Sequence, residues 1–103
     1  MLQPQTIQEA VARIVAATQP SKVILFGSYA RGDATEDSDL DLMVVEREVA
    51  DIGAEMVRLR DAVGSIGIGV DVLVYSEPEF EKRASWCSSP VYWAVREGKV
   101  LYG

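Results

Sequence analysis

Three strand-length runs, Val23–Phe26, Asp39–Val45 and Val70–Val74, are separated by stretches whose apolar residues recur at helical spacing. That alternation restricts the chain to an α/β or α+β fold. Ile7, Val11, Ile14 and Val15 share a helical face, and Thr6 with Glu9 has the spacing of a capping box, which predicts a helix over residues 6–18. Pro20 and Ser21 break it. Val23-Ile24-Leu25-Phe26 is apolar without interruption, as in a central strand of a sheet covered on both faces. Gly27 and Ser28 end that run, a short helix fits the stretch to Gly32, and the polar segment Asp33–Ser38 belongs to a surface loop. Ile52, Met56, Leu59 and Val63 mark a second amphipathic helix, ended by the Gly64–Gly69 turn region that leads into the third strand. Beyond the third strand, Ser76 starts a helix through Trp86, Ser89-Pro90 starts another that Gly98 stops, and Lys99–Tyr102 is a short closing strand. With no repeat, low-complexity tract or flexible linker, residues 1–103 are expected to form one domain.

Strand periodicity then sorts the acids. Asp39, Asp41 and Met43 fall on one face of their strand, and Leu40, Leu42 and Val44 on the other. In the third strand Val70, Val72 and Val74 form a stripe that leaves Asp71 opposite, with Leu73 and Tyr75. Any one of these aspartates is most simply an exposed strand end. Packed together without compensation, three carboxylates oppose both ionisation and folding, so something positive should sit among them. The chain has no histidine, which removes Ser-His-Asp and Cys-His nucleophile activation and the usual nitrogen ligands of catalytic zinc. Hard carboxylate oxygens instead suit magnesium or manganese. A two-metal site holds its ions roughly 3.5–4 Å apart, and Asp39 and Asp41, two residues apart on one strand, suit the bridging role. A net charge of -6 argues against sequence-independent binding to bulk nucleic acid.

Gly27-Ser28 follows an apolar strand and opens a helix, a position where backbone N–H groups can approach and attract phosphate. Alone, the pair reads first as an ordinary strand-to-helix turn. Its link to the acidic strand changes that: Gly27-Ser28, ten intervening residues, then Asp39-Leu40-Asp41, with Asp71 on a later strand. This compound motif resembles the signature of the DNA polymerase beta nucleotidyltransferase superfamily, and the short length resembles its minimal nucleotidyltransferase branch. The likeness runs from about Val23 to Val74, and the closing Glu97-Gly98-Lys99-Val100-Leu101-Tyr102 is similar to tails in that branch.

The resemblance implies a mixed sheet flanked by helices, the nucleotidyltransferase fold. It also implies that Gly27 and Ser28 contact the β and γ phosphates of a nucleoside triphosphate, while Asp39 and Asp41 bind two magnesium ions. Asp71 would complete the triad by binding the metal nearer the acceptor hydroxyl and helping to deprotonate it. Similar minimal members commonly pair with a helical HEPN protein, often as antitoxin to its ribonuclease toxin, and can transfer AMP from ATP to a tyrosine on it. A homo- or hetero-oligomer is compatible with that role. Larger members carry a second domain that recognises the acceptor, and it is missing from this sequence. A noncatalytic module that neutralises or scaffolds a partner, and the catalytic subunit of a small-molecule nucleotidyltransferase, stay open as alternatives.

Arg31, beside the phosphate cradle, could neutralise phosphate charge or could be a solvated surface residue. Ser38 reads as a turn cap, and Glu36 and Asp37 as solubilising loop acids. Trp86, Tyr92 and Trp93 are expected to pack against the sheet; if exposed, they would be anchors for a protein partner. A lone Cys87, which cannot form an internal disulfide, reads as a packed or incidental thiol, and the Met1-Leu2-Gln3-Pro4 start resembles no leader. With apolar stretches far shorter than the roughly 20 residues that span a bilayer, the expected location is the cytoplasm, away from membranes.

Overall fold

A computed structural model of the protein describes residues 2–103. Five helices and four strands follow in the order α1 (Pro4–Thr18), β1 (Lys22–Phe26), α2 (Ser28–Arg31), β2 (Leu40–Glu46), α3 (Ile52–Val63), β3 (Val70–Ser76), α4 (Glu77–Arg83), α5 (Pro90–Glu97) and β4 (Lys99–Tyr102). The strands form one mixed sheet in the order β3-β2-β1-β4. β1 is antiparallel to both β2 and β4, whereas β2 and β3 run parallel, a pairing that needs the α3 crossover between them.

Alternation along the strands builds a layer on each side of the sheet. One face carries Val23, Leu25, Leu40, Leu42, Val44, Val72 and Val74 against Ala10, Val11 and Ile14 of α1 and Leu59 and Val63 of α3. The other face carries Ile24 and Met43, covered by Val91 and Ala94 of α5, with Leu73, Tyr75 and Phe80 of α4 packed alongside. Val23, Ile24 and Leu25 are all buried, as expected of an internal strand with helices on both sides. No helix among the described residues is long and apolar enough to cross a membrane.

Three local expectations are corrected. α1 begins at Pro4, two residues before the expected start, because proline at the first helical position is already set for the helix and loses no hydrogen bond there. Thr6 therefore lies inside the first turn, where its N–H donates to the Gln3 carbonyl at 3.0 Å, and the N-cap residue Gln3 makes no side-chain capping bond among the described residues. α4 ends at Arg83 rather than Trp86; successive turns, with Trp86 N–H donating to Arg83 O and Ser89 N–H to Trp86 O, bring Ser89 round to cap α5. Finally, Trp86 and Trp93 are 43% and 49% exposed. Val91 and Ala94 already fill the sheet-facing side of α5, so Trp93 is left outside, its indole N–H bonded to the Cys87 carbonyl. Lys82 and Arg83 lie over the Trp86 ring, and Cys87 is exposed.

Candidate active site

At the end of β1 the chain turns through Gly27 with φ 73° and ψ -154°, a conformation that side chains disfavour. A second constraint acts at the same residue: a Cβ on Gly27 would overlap the carboxylate of Asp41 on the neighbouring strand. Glycine is thus fixed here both by the turn and by what the turn abuts. The Gly27 carbonyl accepts from Ala30 and Arg31, each at 3.1 Å, which starts α2 at Ser28. The Ser28 and Tyr29 N–H groups, which precede these bonds, have no intrahelical acceptor and are able to meet an anion. Arg31 closes α2, exposed and paired with Asp33 at 3.3 Å.

The parallel register of β2 and β3 sets Asp41 directly beside Asp71, and the antiparallel register with β1 sets it beside Phe26. Adjacent strands lie about 4.8 Å apart, so the two carboxyl groups share one face at contact range. Burial first, then the Asp71 and Asp39 charges and a hydrogen bond with Asp71, push the Asp41 carboxyl up to about 6 from its ordinary 3.8; Arg31 opposes the rise.

Asp39 sits one residue before β2, exposed, with its carboxylate laid over Gly69. A Cβ on Gly69 would come 2.5 Å from Asp39 Oδ1, and the Leu40 N–H donates to the Gly69 carbonyl at 2.9 Å. Gly69 was readable in the sequence only as part of a turn; its role as a seat for Asp39 emerges once β2 and β3 pair. Gly27, Asp41 and Asp71 are thereby brought together, while Asp39 is near enough to act on Asp41 electrostatically but is turned aside. Among the described residues no three or more of His, Cys, Asp and Glu are gathered as a ready metal cage. Beside the Asp41–Asp71 pair opens a cavity of about 280 Å³, walled by Phe26, Leu73, Met56, Val57 and Arg60.

A second carboxyl cluster lies at the other end of β2. Glu46 is buried, and the Thr18 hydroxyl reaches both Glu46 Oε1 at 2.6 Å and Glu55 Oε2 at 3.1 Å. Burial, then contact with Glu55, pushes Glu46 up to about 7, and the Arg58 guanidinium above all holds Glu55 down at about 2. Arg58 grips both Glu55 oxygens and also donates to the Ala17 carbonyl, so this cluster is an internal clamp between α1, β2 and α3. Among the described residues no cation is clamped to the Asp41–Asp71 pair, which opens onto a cavity beside a glycine turn, as a reactive site requires.

The model of the nucleotidyltransferase domain family matches residues 5–99. A Methanocaldococcus jannaschii protein, provisionally named a protein adenylyltransferase, is 37% identical over 81 residues, 79% of this chain and 77% of that protein. Two solved structures share the fold at 22% identity. One, described as a nucleotidyltransferase of Sulfolobus solfataricus, superposes with a TM-score of 0.65 over 95% of this chain and 78% of that one. The other, a toxin-antitoxin complex with AMP-PNP, gives 0.61 over 93% and 73%. The family model spans most of the chain and the identity to the relative supports it: the chain belongs to the nucleotidyltransferase domain family.

Proposed function

We propose that this nucleotidyltransferase moves AMP from ATP to a hydroxyl on a protein partner, a helical HEPN toxin, and thereby acts as its antitoxin. The observation that carries the reading is the in-register Asp41–Asp71 pair, held beside a glycine-forced turn that abuts Asp41. The name of the Methanocaldococcus jannaschii relative favours a protein acceptor, and the toxin-antitoxin neighbour with AMP-PNP favours an adenine nucleotide and a protein partner.

The donor set fits a hard divalent ion. Two carboxyl groups share a hydrogen bond at a pair where one is pushed toward neutrality; magnesium or manganese held there would offset the repulsion. Asp39, Asp41 and Asp71 would hold it, Asp39 by swinging from Gly69. When bound, the metal supplies Lewis-acid polarisation of the phosphoryl oxygens and charge neutralisation. The first-turn N–H groups at Ser28 take the β and γ phosphates, with Arg31, released from Asp33, adding positive charge. Asp71 takes the proton of the acceptor hydroxyl, whose oxygen attacks the α-phosphorus as the bond to pyrophosphate breaks.

Incubation with ATP and magnesium should add one AMP to a HEPN protein encoded beside this chain, read by intact mass. No mass increase at saturating ATP would count against the reading. The exposed Trp86 and Trp93 also favour partner contact independent of chemistry. A purely noncatalytic antitoxin would inhibit its toxin equally well as the Asp39→Asn/Asp41→Asn variant, whereas the catalytic reading expects that inhibition to be lost.

A further inference from the structure

Gly27, Asp41 and Asp71 lie on three consecutive strands, so the turn, the two carboxyl groups and the β3 edge follow one another across the sheet. In-line displacement places the attacking oxygen opposite the leaving group. If pyrophosphate leaves over the Gly27–Ser28 turn, the acceptor must arrive from the far side of Asp71, past the free edge of β3. The 280 Å³ cavity runs from Phe26 past Asp41 and Asp71 to that edge, where α3 walls it. Its size falls below the roughly 300–1,000 Å³ of pockets that enclose a whole small ligand, and suits one inserted side chain.

The cavity is not uniformly acidic. Besides the two aspartates its walls are apolar (Phe26, Leu73, Met56, Val57), with the single cation Arg60. Among the described residues Arg60 makes no ion pair and no side-chain hydrogen bond, whereas Arg31, Arg58 and Arg83 each hold a carboxylate. An exposed arginine that leaves nearby aspartates unpaired remains free for an anion brought by a ligand. At the cavity mouth Val57, 50% exposed, carries the apolar wall outward along α3 to Ile52, 43% exposed, which gives a larger body than one side chain something to rest on.

We infer that this cavity is the acceptor subsite, and that Arg60 selects a protein segment whose hydroxyl side chain is flanked by an acidic residue. The hydroxyl side chain enters between Leu73 and the Met56–Val57 wall of α3 toward Asp71, and the flanking carboxylate pairs with the Arg60 guanidinium. The inference rests on the transferase reading, but its binding step can be measured without turnover.

The probes are three synthetic peptides with a central tyrosine flanked by aspartates, alanines or lysines, titrated into the labelled chain with amide shifts followed by NMR. The aspartate-flanked peptide should bind most tightly and shift Val57, Arg60 and Leu73; Arg60→Glu should weaken it by about tenfold or more and favour the lysine-flanked peptide. Affinity for MgATP should be the same in wild type and Arg60→Glu. Shifts elsewhere, no peptide binding at millimolar concentration, no change of preference in Arg60→Glu, or a loss of MgATP affinity there would each overturn the subsite. Peptide bound in the cavity but never adenylylated, with MgATP present, would leave the subsite standing and count against the transferase reading instead.

Discussion

Asp41 is asked to ionise where its burial and two other aspartates oppose it, and the sign of that opposition can be worked out. Its folded-state value, about 6, lies above the ordinary 3.8, so Asp41 favours the folded state at low pH and loses that contribution as pH rises from about 3.8 through about 6. Asp41→Asn should therefore make the metal-free protein more stable above pH 6, by about 1–2 kcal/mol in urea unfolding, while abolishing transfer. An Asp41→Asn protein less stable than wild type at pH 7.5 in chelator would mean the carboxyl is not held under repulsion. Asp71→Asn nearly keeps the shape of the side chain, and should lower transfer by about 100-fold or more with the thermal midpoint little changed. Gly27→Ala meets both the positive φ and the Asp41 carboxylate, and is expected to cost about 1–3 kcal/mol of unfolding free energy. The aspartates and Gly27 were readable because strand alternation and a turn leave marks in consecutive residues. Gly69 and Arg60 were not, since each acquires its neighbours only when β3 docks beside β2 and α3.

At the level of elements, the clamp around Glu46 joins three of them. The Thr18 hydroxyl has one proton to give and touches two carboxyl groups, and Glu46 Oε2 is buried without a hydrogen-bond partner among the described residues. A proton held on Glu46 and directed at Glu55 satisfies both. Glu46, raised to about 7, stabilises the fold at low pH and loses that contribution between about 4.5 and 7; Glu55, lowered to about 2, contributes fully above about 4.5 and loses it as pH falls through 2. Glu46→Gln keeps a donor toward Glu55 at every pH. It should leave stability unchanged near pH 4.5 and raise it by about 1–2 kcal/mol at pH 8; equal destabilisation at both values would refute the shared proton. This clamp was invisible in the sequence, because Thr18, Glu46 and Glu55 lie on three different elements. Element boundaries went astray where backbone competes with side chain: Pro4 starts α1 ahead of the Thr6–Glu9 pattern, and the turns at Arg83 and Trp86 end α4 where the helical pattern continues. Trp86 and Trp93 were misplaced for a related reason: helical spacing does not tell which of several apolar residues reaches the sheet first.

For the molecule as a whole, a chain with net charge -6 has to attract a triphosphate that is itself strongly anionic. Long-range attraction is therefore not expected, and on the proposed reading binding would be local: N–H groups at the turn, Arg31 beside it, and a divalent ion on the aspartates. Nucleotide affinity should accordingly depend on metal far more than on ionic strength. The most direct test is a titration of ATP into the chain with magnesium or with chelator, for wild type and for Asp39→Asn/Asp41→Asn, by calorimetry. Binding by wild type only with magnesium, and none by the folded double variant, is the expected outcome. Equal affinity for ATP in all four titrations would contradict it.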